Sequence, residues 1–421
     1  MNPVVHRTFM SSSSSFRRWV IVAAVLATAS NPAATAASHH RSTWGQILVG
    51  GGNCDNLSLP ARAALYDPAT NSFTDVKMES PRSSAAATLI TTSHDAGKVL
   101  ISGGEGKDSC ALASTELYDL ATNSFTRGPS MRAARVRHTA TVLTNGPRAG
   151  EVLIVGGWGP RCNGRVALAS TELYDPATRS FTLGPNLHAG RQDHTATPIV
   201  SGPNKGKILI VGGMDSNFHA MASTELYNPF SNQMETGPSM KLPRAGHTAT
   251  VIPAGSNSGA ILIAGGNDGR TGQLATTELF DPVTARLLPG PTMKTPREEH
   301  TATVIESGPD MGEILIAGGT NDGLELASTE LYDPQRNAFA SGPDMNYPRY
   351  GHTATAVGGG SNAGRILITG WIGYDSSVPS DLYDPATRRF VPEADSPLWR
   401  GGCGGTFAIE LPPRPSHDAH R

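Results

Sequence analysis

Seven times between Trp44 and Leu411 the chain returns to the phrase that stands at residues 170–183 as STELYDPATRSFTL, and in each copy an apolar run ends nearby on glycine. The di-glycines fall at Gly51-Gly52, Gly103-Gly104, Gly156-Gly157, Gly212-Gly213, Gly265-Gly266 and Gly318-Gly319, with a degenerate seventh copy at Thr369-Gly370. Three further series keep step with them. An aromatic recurs at Tyr66, Tyr118, Tyr174, Tyr227, Phe280, Tyr332 and Tyr383, and seven residues beyond each stands Phe73, Phe125, Phe181, Met234, Leu287, Phe339 or Phe390. An arginine recurs at Arg82, Arg135, Arg191, Arg244, Arg297, Arg349 and Arg400, followed three residues later by Ala85, His138, His194, His247, His300, His352 or Cys403. A fixed period of this length makes each copy one supersecondary unit that cannot bury its apolar faces alone.

Each unit reads as four short strands. The first is HTATVI-like and alternates. The second, such as Ile208 to Val211, is unbroken and apolar, as expected of a strand covered on both faces. The third is STELYD-like, and an Asp-Pro turn follows, since Asp bonds its own backbone and Pro presets φ. The fourth is centred on the Phe position. Four antiparallel strands per unit, repeated around an axis, remove the edge-strand problem as a propeller does. The prediction is an all-β, seven-bladed propeller over residues 44–411.

These motifs strongly resemble kelch repeats, in the secreted form also found in the propeller of the galactose oxidase family. The di-glycine, the aromatic of TELYDP and the following apolar position carry the resemblance over nearly the whole chain.

The ends predict how the ring closes. The first complete strand, from Gln46 to Val49, is of second-strand type, and the last, from Cys403 to Leu411, is of first-strand type. Each lacks what the other offers, so one blade is expected to take its inner strand from the C-terminus. Residues 1–37 read as a secretory signal peptide: Arg17 and Arg18, an apolar run from Trp19 to Ala27, and Ala34-Thr35-Ala36 for cleavage. Translation from Met10 would leave that signal whole. The Arg pair hints at twin-arginine export, although Phe16 departs from that motif. The expected location is secreted or periplasmic, and residues 412–421 read as a disordered tail. Export favours disulfides. Cys54 and Cys403 should meet across the closing blade, and Cys110 and Cys162, in equivalent loops of adjacent blades, should pair with each other.

Chemistry-bearing residues mostly repeat, and repetition argues for structure. Arg135, Arg191, Arg244, Arg297 and Arg349 face a recurring acid, among them Glu172, Glu225, Glu278 and Glu330, and are expected to form buried ion pairs. Acid–base catalysis needs two groups in different environments, and a sevenfold copy supplies sameness. His138, His194, His247, His300 and His352 should lie between blades, bonded to backbone or Thr, because strand side chains alternate between faces that pack on neighbouring blades. Their spacing offers no HxH or HxxxH pair, so no metal site and no cofactor is expected.

The loops after each Gly-Gly are where the copies stop agreeing, and divergent loops on one face of a rigid scaffold are where binding is placed. The candidate ligand-binding residues are Asp55, Trp158, Asp215, Phe218, His219, Asp268, Arg270, Asp322, Trp371 and Tyr374. Aromatic rings among carboxylates suit a carbohydrate or an extracellular protein as partner. A formal net charge of -2 argues against nucleic acid. The chain is read as a monomer with no integral membrane segment after signal cleavage. The resemblance also implies an alternative, a carbohydrate-active enzyme: a galactose oxidase-like copper oxidase or a sugar epimerase. For the oxidase, Arg349-Tyr350-Gly351-His352 comes closest to the ligand pair, with the Tyr one residue out of register. The reading from the residues is a binding or interaction module with no catalytic residue.

Overall fold

The computed structural model describes residues 45–53, 62–106, 110–159, 166–370, 379–392 and 404–412. The signal-peptide segment, residues 413–421 of the tail, the Cys54–Cys403 pair, Cys162, and Asp55, Trp371 and Tyr374 therefore lie outside the described residues, whereas Cys110 is described and is disulfide-bonded.

Among the described residues the strands form seven antiparallel four-stranded sheets and one small two-stranded hairpin. Blade 4 shows the pattern: Thr195–Pro198, Ile208–Val211, Thr224–Asn228 and Gln233–Thr236 pair in sequence order, from inner to outer strand. The alternation within one strand explains how blades adhere. Ile208 and Ile210 pack on Leu153, Val155 and Leu173 of blade 3, while Leu209 and Val211 pack on Ile261 and Ile263 of blade 5. Both faces of the second strand are thus interior, which is why its sequence is apolar without a break.

The aromatic and the apolar residue seven positions later are cross-strand partners. Tyr174 stands opposite Phe181, their ring centroids 5.1 Å apart. The reversal between them is set by Asp175, whose Oδ1 accepts the Ala177 N–H at 2.8 Å, and by Arg179 in the left-handed region at φ 51°. The di-glycine serves the next blade. Gly156 sits at φ 58°, and a Cβ there would come within 2.5 Å of the Arg191 carbonyl oxygen. Gly157 N–H donates to that carbonyl at 2.8 Å. Two glycines are needed because a neighbouring backbone occupies the space of their side chains.

Blade 1 is built from both ends of the chain. Its inner strand, Gly404–Glu410, pairs antiparallel with Ile47–Asn53, and Arg62–Asp67 and Ser72–Lys77 complete it. The register runs from Ile47 opposite Glu410 to Asn53 opposite Gly404. In the other blades the second strand stops before the glycine pair. Here it runs through it, because the longer closing strand supplies ladder partners as far as Asn53. Blade 7 seals onto blade 1 through Leu367 and Leu382 against Ile47, Val49 and Tyr66. Asn362 adds a hydrogen bond from Nδ2 to the Tyr66 hydroxyl at 2.7 Å. No helix among the described residues is long and apolar enough to cross a membrane.

Candidate functional site

Among the described residues the recurring arginine lies on the connectors that enter blades 2 to 7 and is fully buried. Arg135 Nη2 donates to Glu172 Oε1 at 2.8 Å, and Nη1 to the Gly156 carbonyl at 2.7 Å. The same bond joins Arg191 to Glu225 at 2.7 Å, Arg244 to Glu278 at 3.2 Å, Arg297 to Glu330 at 3.2 Å and Arg349 to Asp381 at 2.9 Å. The carboxylates also accept connector backbone: Arg132 and Ala133 N–H both donate to Glu172. Each pair therefore pins the connector over its own blade through Nη1 and Nη2, while the buried Nε of each arginine has no partner among the described residues.

The five histidines form a second internal series. His194 Nε2 lies 3.0 Å from Thr139 Oγ1, and His247, His300 and His352 repeat the contact with Thr195, Thr248 and Thr301 at 3.0–3.1 Å. His138 meets Ser102 Oγ at 2.8 Å. Each bond crosses from one blade to the preceding one. Burial, with Arg191 and Arg135 nearby, pushes His194 down to about 3, and burial beside Arg349 and Arg297 does the same to His352. These rings are neutral. Among the described residues no group of three His, Cys, Asp or Glu is placed to hold a metal ion.

Between the recurring Arg and His lie two residues that vary from blade to blade, and those of four consecutive connectors line one cavity. The second of them takes positive φ throughout: Ser84, Arg137, Asp193, Gly246, Glu299 and Gly351, at 49–63°. Backbone bonds step from blade to blade along this row, with Gly246 N–H to Asp193 carbonyl at 3.2 Å, Glu299 to Gly246 at 2.8 Å and Gly351 to Glu299 at 2.9 Å. The first of the two bridges to the residue just after the di-glycine, as Val136 does to Trp158 and Gln192 to Met214. A cavity of about 170 Å³ opens where these positions meet, walled by Glu105, Arg137, Trp158, Gln192, Asp193, Phe218, Glu298 and Glu299 among others.

The walls are chemically unequal. Trp158 is buried and Phe218 half exposed, their ring centroids 5.1 Å apart at an interplanar angle of 50°. Arg137 Nη1 donates to Asp193 Oδ2 at 3.0 Å. Asp193, joined by Glu299 and Glu105, holds the exposed Arg137 guanidinium above its ordinary range. Burial raises Glu299, and Asp193 and Glu298 push it the same way, while Arg137 opposes. Glu298 Oε1 accepts from Gln273 Nε2 at 2.7 Å and Asn267 Nδ2 at 3.1 Å.

Of the sequence-nominated loop residues, the fold brings Trp158 and Phe218 together at this mouth. Asp215 instead closes its own turn, with Oδ1 accepting the N–H groups of Asn217 and His219 at 2.8 and 2.9 Å, and His219 Nδ1 is 3.4 Å from its Oδ2. Asp268 is buried and accepts from Arg270, Thr271 and Gly272 N–H and from Thr271 Oγ1. Arg270 itself is exposed on that loop. Asp322, φ 50°, and Gly323, φ 75°, form the two-residue turn of a small hairpin, Thr320–Asn321 with Leu324–Glu325. The residues that reading the loops missed are Arg137, Gln192, Asp193, Glu298 and Glu299. Their signal was present, since they are the only unlike pair inside an otherwise constant Arg-x-x-His frame.

No family model matches the chain. It is 25% identical over 258 residues to Beta-scruin of Limulus polyphemus, covering 57% of this chain and 26% of that protein. It is 26% identical over 313 residues to Kelch-like protein 36 of Mus musculus, covering 71% and 47%. The chain thus spans about a quarter to a half of the length of these curated relatives. Among solved structures, "Structure of YjhT" superposes with a TM-score of 0.54 at 13% identity, over 75% of this chain and 98% of that one, a likeness of fold. Repeat frame, seven blades and relatives all converge: the chain is a kelch-repeat β-propeller.

Proposed function

We propose that the protein is an exported interaction module that receives a segment of a protein partner at the channel mouth ringed by Arg137, Asp193, Glu298 and Glu299. The observation that carries this reading is the Trp158–Phe218 pair, set by adjacent blades at the rim of the cavity. A half-exposed aromatic backed by a buried one, beside a concave polar pocket, is the make-up of an interface anchor point. The kelch propeller fold suggests the same class of role. Export rests on the basic and apolar segment from Arg17 to Ala27 and the small residues after it. A carbohydrate is the competing ligand. An acidic sugar is disfavoured, because among the described residues the cavity wall carries four carboxylates, Glu105, Asp193, Glu298 and Glu299, and one guanidinium, Arg137.

Displayed random peptides selected against the full chain, beside a glycan array, test the reading. Wild type should enrich a shared peptide motif, and Phe218→Ala should lower affinity for it about tenfold or more with an unchanged melting temperature, since the ring is half exposed. Glycans retained through Phe218 with no peptide enriched would replace the protein partner by a sugar.

A further inference from the structure

Two of the turns between third and fourth strands depart from their equivalents. Five residues beyond the recurring aromatic, every blade takes a left-handed φ of 49–54°, and four blades place asparagine there. Asparagine tolerates this conformation better than most side chains, and its Oδ1 also accepts the hydroxyl of the tyrosine in its own blade. Asn71 does so from Tyr66 at 2.8 Å and Asn337 from Tyr332 at 2.9 Å. Blade 5 has Phe280 in place of tyrosine, hence no hydroxyl to satisfy, and carries Ala285. Blades 3 and 7 give up both advantages. Arg179 and Arg388 stand at their turns, and the buried hydroxyls of Tyr174 and Tyr383 have no partner among the described residues. A locally unfavourable residue at two equivalent places needs a non-local reason.

That reason lies across the seam to the preceding blade, whose loop between first and second strands packs on the turn. Four residues before the second strand, these loops carry Asp95, Arg148, Asn204, Asn257, Asp310 and Asn362 in blades 2 to 7. The two aspartates are the ones that face the two arginines. Arg179 donates from Nε to Asp95 Oδ2 at 2.7 Å and from Nη2 to Oδ1 at 2.5 Å, and Arg388 binds Asp310 through the same two nitrogens. Asp95 and Asp310 are 0% and 1% exposed. Lys98, from the loop of blade 2 itself, also reaches Asp95 at 2.9 Å, whereas Arg388 is the only ion-pair partner of Asp310 among the described residues. A buried carboxylate set against any of the other turns would lack the guanidinium fork that satisfies both its oxygens. The seam between blades 7 and 1 shows the neutral form, with Asn362 Nδ2 donating to the Tyr66 hydroxyl at 2.7 Å and to Asn71 Oδ1 at 3.2 Å.

The two charged seams are not placed at random. They join blade 2 to blade 3 and blade 6 to blade 7, and blades 2 and 7 are the flanks of the composite blade. The closing strand, Gly404–Glu410, packs between their inner strands, Ala86–Leu89 and Thr353–Ala356. We infer that the two Asp–Arg pairs are matched keys that fasten blades 2 and 7 to the continuous block of blades 3 to 6, and so fix the shape of the slot that the closing strand fills. Registry is the best-attested use of a buried ion pair, and near-identical units need such marks to tell one neighbour from another.

Two measurements on the full chain test this. In thermal melting, Asp310→Asn and Arg388→Asn should each lower the midpoint, and the two combined should recover at least half of the larger loss, because the pair then matches the neutral seam. Single variants that melt like wild type, or losses that add, overturn the matching. Native-state hydrogen exchange then compares wild type with the chain carrying Asp95→Asn, Arg179→Asn, Asp310→Asn and Arg388→Asn together. Amides of the closing strand should exchange at least fivefold faster, while those of Ile261–Ala264 in blade 5 keep their wild-type rates. Unchanged exchange in the closing strand overturns the inference. Equal acceleration in both strands overturns it too, since the pairs would then be general stabilisers rather than keys to closure.

Discussion

The inter-blade histidines should make the stability of the fold depend on pH. A ring whose folded pKa is depressed contributes stability that is whole above its unfolded value of 6.5 and is lost as pH falls towards the folded value, about 3 for His194 and His352. Between pH 8 and pH 5 each such histidine should withdraw about 2 kcal/mol. Glu313 and Glu410, raised by burial to about 7, act in the opposite sense, so the comparison must be with a variant. His194→Gln should melt below wild type at pH 8, and the gap should narrow at pH 5 in calorimetry. A constant gap would show that the ring is not held neutral. Glu225→Gln probes the other series: it leaves the buried Arg191 without its carboxylate and should cost about 3–5 kcal/mol in urea unfolding, while peptide binding at the mouth survives. Of the nominated residues, the repeating ones were legible because their ion-pair and hydrogen-bond partners recur with them from blade to blade. Asp215, Asp268 and Asp322 were harder to read, since a carboxylate that closes its own turn looks in sequence like one that awaits a ligand.

The unit of packing is the single second strand, buried on both faces, with its terminal glycines against the next blade. Gly156→Ala should place a methyl group against the Arg191 carbonyl and force an L-residue to hold φ 58°. The left-handed conformation alone costs about 1–2 kcal/mol, and the clash adds to it. Urea midpoints should therefore fall by more than an alanine replacement in the exposed turn, such as Thr178→Ala, produces. Strand identity and order were plain from the periods of the sequence. The small hairpin at Thr320–Asn321 and Leu324–Glu325 was not, because two residues per arm carry no alternation to read.

Closure unites the elements. The closing strand Gly404–Glu410 joins Ile47–Asn53 and lies between the inner strands of blades 2 and 7. A chain ending at Pro392 should lose the single sharp calorimetric transition and become susceptible to limited proteolysis. Asn53 and Gly404 are register partners, and Cys54 and Cys403 are their neighbours in sequence. Peptide mapping without reductant should find these two cysteines joined, and Cys54 joined to Cys110 or Cys162 would defeat the proposal.

Architecture was written in the order of residues because it is periodic. Hydrophobic alternation, glycine pairs and a mismatched pair of chain ends specify seven sheets and a ring before any contact is known. The mouth is of another kind. Its walls come from positions on five different blades, spread between residues 105 and 299, and no local pattern records that Glu105, Gln192 and Glu299 share a cavity. Their meeting follows from the rotation of one blade relative to the next, a property of the closed ring rather than of any repeat within it.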